Sequence, residues 1–264
     1  MDQLELCDLS IGHASHCVAE GLNAKVPAGG VTILLGRNGS GKTTLLHSMG
    51  GLLPPLRGEI RLGGQSLFDL SPQERARQVA LLLTTRPAVG SLTVEDVLTT
   101  ARLPHRGIAT AQQDRAAIAQ AAQRCGIEAL MARPLHTLSD GQAQWVMLAR
   151  ALAQATPLLL LDEPTAHLDP PNKRALFALL FAVAQETGRT IVVSTHDLLP
   201  ITQQASAWWL LHEGFLHNGA PQDEALRRRI GDALETIVRN ALRALLYSAP
   251  LLIIYRTSLP YFIK

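Results

Sequence analysis

The chain has 264 residues, of which 47% are hydrophobic and 17% are charged, and its formal net charge is +2 at pH 7. This composition excludes a disordered chain, and the length suits one large α/β domain or two small ones. A net charge near zero and an aromatic content of only 4% argue against a dedicated nucleic-acid-binding protein.

The first third of the chain predicts mainly strands. Leu4–Leu9 alternates apolar and polar residues, which indicates a strand, and the apolar run Val31–Leu35 is typical of a strand buried on both faces. Thr43–Met49 is predicted to be a helix. Gly58–Leu62 and Val79–Leu83 are two further predicted strands.

The middle of the chain predicts an insert of helices. The stretch of about Thr93–Ala132 is rich in Ala, Gln and Leu at helical spacing, and Ser139 is predicted to open a helix that runs to Ala153. Two more strands, Leu158–Leu161 and Thr190–Ser194, flank a helix over about Asn172–Thr187. Strands that alternate with helices predict an α/β fold with a mostly parallel sheet and an inserted helical subdomain.

A phosphate-binding loop is predicted directly after the strand Val31–Leu35. Gly36–Thr43 reads GRNGSGKT and fits the pattern G-x-x-x-x-G-K-[ST] in full. Backbone N–H groups and the start of the following helix would face phosphate oxygens, with Lys42 as a point charge and the Thr43 hydroxyl as a ligand for Mg²⁺. The predicted nucleotide-binding residues of this segment are Gly36, Asn38, Gly39, Ser40, Gly41, Lys42, Thr43 and Thr44.

Two adjacent carboxylates follow the predicted strand Leu158–Leu161. Asp162 and Glu163 would emerge at its C-terminal end, where open α/β sheets bind their ligands. We expect Asp162 to hold Mg²⁺ through water and Glu163 to act as the general base on the attacking water. An apolar run that ends in Asp-Glu would be a weak signal for a nucleotide site on its own. Its occurrence together with the phosphate-binding loop makes the prediction specific.

A second anion site is predicted at the helix that begins in Leu138–Gln142, which reads LSDGQ. Ser139 is a good N-cap, and the exposed N–H groups at this helix start can bind an anion. One nucleotide cannot easily occupy both sites of one chain. We therefore expect a head-to-tail dimer in which Ser139, Gly141 and Gln142 face the γ-phosphate bound by the other chain, although an ordinary capped helix is the alternative.

Together these segments resemble the ATP-binding cassette (ABC) ATPases. LSDGQ is similar to the LSGGQ signature of that family, Ala166–Asp169 corresponds to its D-loop, and Ser194–Asp197 corresponds to its switch region. The resemblance implies an ATPase that uses ATP and Mg²⁺, with His196 at the γ-phosphate and Asp169 in the nucleotide-binding set. It also implies a P-loop cassette in which a mostly parallel sheet is joined by an antiparallel β portion.

The resemblance also implies domain limits and a transport role. It covers residues 1–226, with the helical subdomain at about 86–155. The stretch Leu92–Gly107 is similar to a segment of iron–siderophore, haem and cobalamin importers, because Ala101–His105 keeps the Arg, Pro and His of their GR-x-P-H pattern. The implied partners are transmembrane permease subunits, a second copy of the chain and, indirectly, a periplasmic or extracellular substrate-binding protein, and no nucleic acid is expected.

The expected location follows from the same resemblance and from three sequence features. Cys7, Cys17 and Cys125 form no CxxC pair, which favours free thiols in a reducing compartment. The acidic N-terminus carries no signal-peptide pattern, and no stretch reaches the roughly 20 apolar residues of a membrane span. We expect a soluble chain that lies peripherally on the cytoplasmic face of the inner membrane.

Two positions depart from the family pattern. The Gln expected after Val79–Leu83 is replaced by Thr84 or Thr85, and we expect the shorter hydroxyl of Thr84 to approach a metal-bound water. The Tyr that stacks on adenine is replaced by His13. Because a base–aromatic stack contributes roughly 1–3 kcal/mol, weaker nucleotide binding is predicted.

Two alternative functions remain, together with one segment of open role. The first is a soluble ABC protein that acts on ribosomes or DNA, although such proteins usually carry two cassettes or a long coiled-coil insert and this sequence shows neither. The second is a nucleotide-binding regulator with little turnover, which would fit the loss of the Gln and the Tyr. Residues 227–264 form a basic and apolar tail. Its apolar residues recur at helical spacing, which predicts either a packed amphipathic helix or an interfacial, partner-docking helix.

Overall fold

The structure is a computed structural model, and it describes residues 2–13, 16–84, 91–196 and 200–233. Three of the sequence predictions fall outside these residues. They concern Thr85, Asp197 and the tail beyond residue 233.

Strands and helices alternate along the described chain. Short apolar runs form the strands, and most of the helices begin at a Ser, Thr or Asp that caps them. In chain order the elements are β1 (Asp2–His13), β2 (His16–Pro27), β3 (Val31–Leu35), α1 (Lys42–Met49), β4 (Arg57–Leu62), β5 (Gln65–Ser66), α2 (Pro72–Gln78), β6 (Val79–Leu82), α3 (Val94–Thr100), α4 (Ala111–Cys125), α5 (Asp140–Ala153), β7 (Leu158–Leu161), α6 (Pro170–Thr187), β8 (Thr190–Thr195), β9 (Ala207–His212), β10 (Phe215–Gly219) and α7 (residues 224–233).

The central sheet has the strand order β10-β9-β3-β8-β7-β6. Its strands run parallel except β10, which pairs antiparallel with β9. Every residue of β3, β7 and β8 is buried, because both faces of the sheet are covered. The sheet separates two hydrophobic cores, and alternate side chains of β7 point into each. Leu159 and Leu161 belong to the core on one face, and Leu158 and Leu160 belong to the core on the other. The prediction of a mostly parallel sheet is confirmed.

A second sheet covers one face of the central sheet and supplies the antiparallel β portion. Its order is β2-β1-β4-β5, and all its pairings are antiparallel. The apolar residues Leu4, Leu6, Leu9 and Ile11 of β1 point into the core that also contains α1. This sheet and α1 therefore surround the loop that precedes α1.

The other face of the central sheet is covered by α6 and by the helical insert α3–α5. Thr93, Thr110 and Ser139 each form a capping box, in which the side chain and the third helical residue exchange hydrogen bonds with the backbone. Gly126 ends α4 with φ of +62°, a left-handed conformation that glycine adopts without steric cost. The caps explain why these polar, Ala-rich segments are helical.

A buried arginine ties the helical insert together. Arg102 Nε donates to Asp114 Oδ1 at 2.8 Å, and its Nη1 donates to Ala153 O at 2.8 Å. At the end of α5, Gln154 Nε2 donates to Ala76 O at 2.7 Å. These bonds join α4 to α5 and join the end of α5 to α2, which precedes β6.

Several elements were not predicted from the sequence, and some predicted ends differ from those in the structure. The elements that were not predicted are β2, α2, β9 and β10. The predicted start of α6 was Asn172, whereas Asp169 caps the helix and Pro170 occupies its first position, where the missing N–H group does not matter. The helix after the phosphate-binding loop begins at Lys42 rather than Thr43, and β8 extends to Thr195.

The described part of the tail begins as a packed helix. Within α7, Leu226, Ile230 and Ala233 are buried and belong to the core on the α6 side of the sheet. The proposed boundary at residue 226 stays a prediction. Among the described residues, the structure contains no helix with the length and apolarity needed to span a membrane.

Candidate functional site

The loop between β3 and α1 wraps around the side chain of Lys42. Lys42 Nζ donates to Gly36 O at 2.8 Å and to Arg37 O at 3.2 Å, and the side chain is 6% exposed. Gly41 has φ of +102°, and a Cβ there would lie 2.5 Å from Val18 Cγ1. Only glycine therefore allows the backbone to pass this close to β2.

The start of α1 offers hydrogen-bond donors to an anion. Its N-cap residue Gly41 makes no side-chain cap, and the first turn contains no acidic residue, so the N–H groups of that turn are open to a ligand. Ser40 Oγ is buried, and no hydrogen-bond partner for it occurs in the described part of the chain. Both features fit the oxygens of a phosphate chain.

A cavity of about 470 Å³ joins this loop to the ends of two strands. Such a volume is within the usual range of small-molecule sites. The cavity collects the predicted phosphate-binding and carboxylate residues, which lie far apart in the sequence. Its lining consists of Val18, Asn38, Gly39, Gly41, Lys42, Thr43, Thr44, His47, Leu83, Thr84, Asp162 and Glu163.

Asp162 is buried at the end of β7 and accepts hydrogen bonds from three hydroxyl groups. Its Oδ2 accepts from Thr43 Oγ1 at 2.7 Å and from Thr84 Oγ1 at 3.0 Å, and its Oδ1 accepts from Ser194 Oγ at 2.7 Å. A carboxylate between hydroxyls is a set of hard oxygen donors. These residues thus fit the predicted Mg²⁺ site, and the role of Thr84 as the substitute for the missing Gln stays a prediction.

Glu163 lies between two basic side chains. Its Oε1 is 3.3 Å from Lys42 Nζ, and its Oε2 is 3.0 Å from His196 Nδ1. The backbone N–H of Glu163 donates to Ser194 Oγ at 2.8 Å, and its φ is +45°, an uncommon value for a residue with a side chain. The structure thus brings the three predicted catalytic residues into contact.

The LSDGQ helix start does not line this cavity. Ser139 Oγ accepts from Gln142 N at 3.3 Å, and Gln142 Oε1 accepts from Ser139 N at 3.2 Å, so both side chains cap α5. Gly141 lies in the first turn, close to Leu168. The Ser139–Gln142 site is therefore separate from the phosphate-binding loop of the same chain, as the dimer hypothesis requires.

Of the other predicted residues, Gly36, Ser40 and His196 adjoin residues of the cavity lining without belonging to it. His13 and Asp169 also lie outside this lining. His13 is exposed at the end of β1, where it pairs across the hairpin with His16. Asp169 Oδ1 accepts from Asn172 N at 2.9 Å and caps α6. Their nucleotide-binding roles stay predictions.

Ser194 forms hydrogen bonds with both Asp162 and Glu163, a role that its place in the predicted switch region did not indicate. Its hydroxyl donates to Asp162 and accepts from the backbone of Glu163. A polar residue at the end of an apolar buried strand was the available signal. Val18 was also missed, because its contact with Gly41 depends on the path of β2.

A comparison with known families decides the classification. The sequence profile described as "ABC transporter" matches residues 19–166, which is more than half of the chain. The chain belongs to the ABC transporter family. Its fold class and its activity as an ATP-binding ATPase are thereby confirmed.

Relatives in this family include ATP-binding proteins of importers. The iron(3+)-hydroxamate import ATP-binding protein FhuC of Bacillus subtilis (strain 168) is 38% identical over 200 residues, with 75% of this chain and 74% of that protein covered. The hemin import ATP-binding protein HmuV of Streptomyces coelicolor is 37% identical over 207 residues, with 78% and 74% covered. A solved structure of the ATP-binding subunit of an ABC transporter is 29% identical, covers 88% of this chain and 94% of its own, and has a TM-score of 0.75.

Proposed function

We propose that this ABC ATPase powers the uptake of an iron–siderophore, haem or cobalamin-type substrate through a separate permease. Similarity to FhuC and HmuV supports the substrate class. The observation that carries the hydrolytic role is the position of Glu163, which lines the cavity at 3.3 Å from Lys42 Nζ and lies 3.0 Å from His196 Nδ1.

ATP is the substrate that this cavity would hold. The phosphate chain would take its hydrogen bonds from the N–H groups at the start of α1, from Ser40 and from Lys42. Lys42 Nζ donates to Gly36 O and Arg37 O, and its side chain is 6% exposed. Its charge would therefore act on the γ-phosphate from a largely buried position, where electrostatic interactions are stronger than in water.

Mg²⁺ is part of the proposal, with Thr43, Asp162 and Thr84 as the residues that would hold it. When bound, this ion would neutralise the charge that develops on the phosphate oxygens. A hydrogen bond of 2.7 Å from Ser194 Oγ to Asp162 Oδ1 fixes the orientation of this carboxylate. The hydroxyls of Thr43 and Thr84 both donate to Asp162 Oδ2, the carboxylate oxygen on the side of the phosphate-binding loop.

Glu163 would hold the attacking water and accept its proton. Its contact with Lys42 competes with the binding of the γ-phosphate, so nucleotide binding would release Glu163 toward the water. His196 would then orient the carboxylate from the other side through Oε2. A positioned acid–base group contributes roughly 10²–10⁴-fold in rate.

A second copy of the chain would complete the site. The start of α5 lies outside the cavity, and its helix dipole favours an anion although Asp140 lies in its first turn and a capping box already uses part of its backbone donors. Ser139, Gly141 and Gln142 would therefore contact the γ-phosphate held by the partner copy, with Asp169 near the same interface. Closure on ATP and opening after hydrolysis would drive transport.

An apolar groove supports the partnership with a permease. The groove has a volume of about 640 Å³ and lies between β6, α2 and the helical insert. Two of its leucines, Leu52 and Leu92, are 62% and 40% exposed, which is costly for a surface without a partner. We propose that an apolar permease segment docks here and places the chain at the cytoplasmic face of the membrane. The apolar lining comprises Leu52, Pro72, Val79, Leu81, Leu83, Leu92, Val97 and Met147.

The hydrolytic role is tested with the substitution Glu163→Gln. We expect the purified wild-type chain to hydrolyse MgATP and Glu163→Gln to lower kcat by roughly 10²–10⁴-fold while it still binds nucleotide. Glu20→Gln, at an exposed position of β2, is the control that keeps its rate. No hydrolysis above background by the wild type would instead indicate a nucleotide-binding regulator.

The transport role is tested in cells. Deletion of the gene should abolish uptake of an iron chelate or of haem or cobalamin, and the wild-type gene but not Glu163→Gln should restore it. Capture of the tagged chain from membranes should recover a permease. Recovery of ribosomes instead of a permease would contradict the transport role.

A further inference from the structure

Gln144 connects α5 to the chain segment that follows Glu163. Gln144 lies in the second turn of α5, is 6% exposed, and donates from Nε2 to Pro164 O at 2.7 Å. The two residues are separated by 20 positions in the sequence. Because a buried amide without a partner is costly, this bond fixes both the side chain and the carbonyl.

Pro164 belongs to a short loop whose conformation determines where the Glu163 carboxylate points. Glu163 has φ of +45°, and the loop continues with a hydrogen bond from Ala166 N to Glu163 O at 3.0 Å. A residue held in the left-handed region needs support from its surroundings. Pro164 O is the next carbonyl along the chain, and Gln144 is the side chain that holds it.

A second contact joins the same two segments. A Cβ on Gly141 would lie 3.7 Å from Leu168 Cδ2, so the first turn of α5 packs against the far end of the loop. Leu168 is 8% exposed. The start of α5 therefore touches the loop at Leu168 and holds it at Pro164, and a displacement of the helix is passed to the backbone next to Glu163.

We infer that Gln144 is a positioning residue that links the two nucleotide sites of the dimer through one chain. The inference rests on the proposed function, in which the start of α5 contacts the nucleotide of the partner copy and Glu163 acts on the nucleotide of its own chain. Occupation of the first site shifts α5, and the Gln144–Pro164 bond then sets the orientation of Glu163 in the second.

The test is the substitution Gln144→Met, which keeps the length and helix propensity of the side chain and removes the donor. For wild type we expect ATP hydrolysis with a Hill coefficient above 1, up to the two sites of a dimer. For Gln144→Met we expect a Hill coefficient of about 1 and a kcat that is lower by roughly tenfold. The affinity for nucleotide should stay unchanged, since Gln144 does not line the cavity.

A readout other than turnover separates positioning from a structural role. We compare the Glu163→Gln protein with the protein that carries both Glu163→Gln and Gln144→Met. ATP should produce the same amount of dimer in both, as measured by analytical ultracentrifugation. Loss of the dimer would overturn the inference, because Gln144 would then only build the interface. Unchanged kcat and an unchanged Hill coefficient for Gln144→Met would also overturn it.

Gln154→Met is the matched control at the other end of the same helix. Gln154 also donates from its amide to a backbone carbonyl, Ala76 O at 2.7 Å, but far from the Glu163 loop. We expect its thermal destabilisation to resemble that of Gln144→Met and its Hill coefficient to equal that of wild type. A wild type that hydrolyses ATP without cooperativity overturns the inference and leaves the proposed function intact, whereas a wild type without hydrolysis overturns both.

Discussion

Ser194 forms hydrogen bonds with both acidic residues of the site, with the carboxylate of Asp162 and with the backbone N–H of Glu163. A serine at the end of a buried strand would ordinarily be costly, but here its hydroxyl donates to Asp162 Oδ1 at 2.7 Å and accepts from Glu163 N at 2.8 Å. One side chain therefore fixes the orientation of the predicted metal ligand and the backbone of the predicted base. The cost of burying this hydroxyl is offset by two short hydrogen bonds.

Replacement of Ser194 by alanine should lower stability and activity together. Ser194→Ala leaves Asp162 Oδ1 and the N–H of Glu163 without these partners, which costs about 1–3 kcal/mol of unfolding free energy. We expect this loss in urea denaturation and a reduced kcat for ATP hydrolysis.

Ser48 provides the matched control for this substitution. Its hydroxyl is also fully buried, yet no hydrogen-bond partner for it occurs among the described residues. Ser48→Ala should therefore not lower the unfolding free energy and should raise it, because the substitution removes a buried hydroxyl whose desolvation no hydrogen bond within the described part of the chain offsets. Equal losses for both variants would show that the bonds of Ser194 contribute nothing specific.

The residues that the sequence predicted at the site are those whose positions follow from local geometry. Lys42 and Thr43 follow from a loop of fixed length before a helix, and Asp162 and Glu163 follow from the end of an apolar strand. The role of Ser194 could not be predicted in this way. Its partners are 32 and 31 positions away, and the contact exists only because β7 and β8 are neighbours in the sheet.

At the scale of elements, the helical insert depends on Arg102. This side chain is 8% exposed and joins the carboxylate of Asp114 on α4 to the carbonyl of Ala153 at the end of α5. His105 Nε2 also lies 2.8 Å from Gln154 O. Arg102 and His105, which belong to the segment Leu92–Gly107 that is similar to a segment of importers, therefore stabilise the helical insert through these hydrogen bonds.

Removal of the Arg102 side-chain charge should destabilise the protein strongly. Arg102→Met leaves Asp114 without its buried partner and leaves the carbonyl of Ala153 without a donor, so we expect a loss of about 3 kcal/mol in the free energy of unfolding. Arg115→Met, at an exposed position of α4, should change it by less than about 0.5 kcal/mol. A similar midpoint in urea for both variants would contradict the proposed role of Arg102.

Two of the elements that were not predicted, β2 and α2, have weak local signals in the sequence. β2 is interrupted by Gly21, which has φ of +64°, and its register with β1 shifts, so the alternation of apolar and polar residues is broken. α2 buries none of its residues and is recognised by its cap at Ser71 rather than by an apolar face. The parallel strands β3, β6, β7 and β8 were predicted because burial makes them continuously apolar, whereas the parallel strand β9 was missed although four of its residues are buried.

At the scale of the whole molecule, the site lies where the two cores meet. Leu34 and Leu35 end β3 with their side chains in different cores, and the phosphate-binding loop begins at the next residue. Opening either core would move this loop away from Asp162 and Glu163. Ligand binding should therefore stabilise the molecule as a unit, including parts far from the site.

Cys125 is a natural probe of such opening, since it lies at the end of α4 in the core of the helical insert. Burial raises the pKa of its thiol from the ordinary value of 9.0 to about 12. The thiol is therefore protonated and unreactive in the folded state. Because the pKa is higher in the folded state, this group favours folding below pH 9.0, and its contribution is lost as the pH rises toward 12.

Nucleotide should protect Cys125 from labelling even though the thiol is remote from the cavity. In a Cys7→Ser, Cys17→Ser, Glu163→Gln protein, a thiol reagent reaches Cys125 only when the molecule opens. MgATP at 100 times its Kd stabilises the closed state by about 2.7 kcal/mol, so labelling should slow by roughly 100-fold. The control is a Cys17→Ser, Cys125→Ser, Glu163→Gln protein, in which Cys7, a partly exposed residue that does not line the cavity, should react at the same rate with and without nucleotide. An equal rate of Cys125 labelling with and without MgATP would contradict this prediction, because the helical insert would then open independently of the nucleotide site.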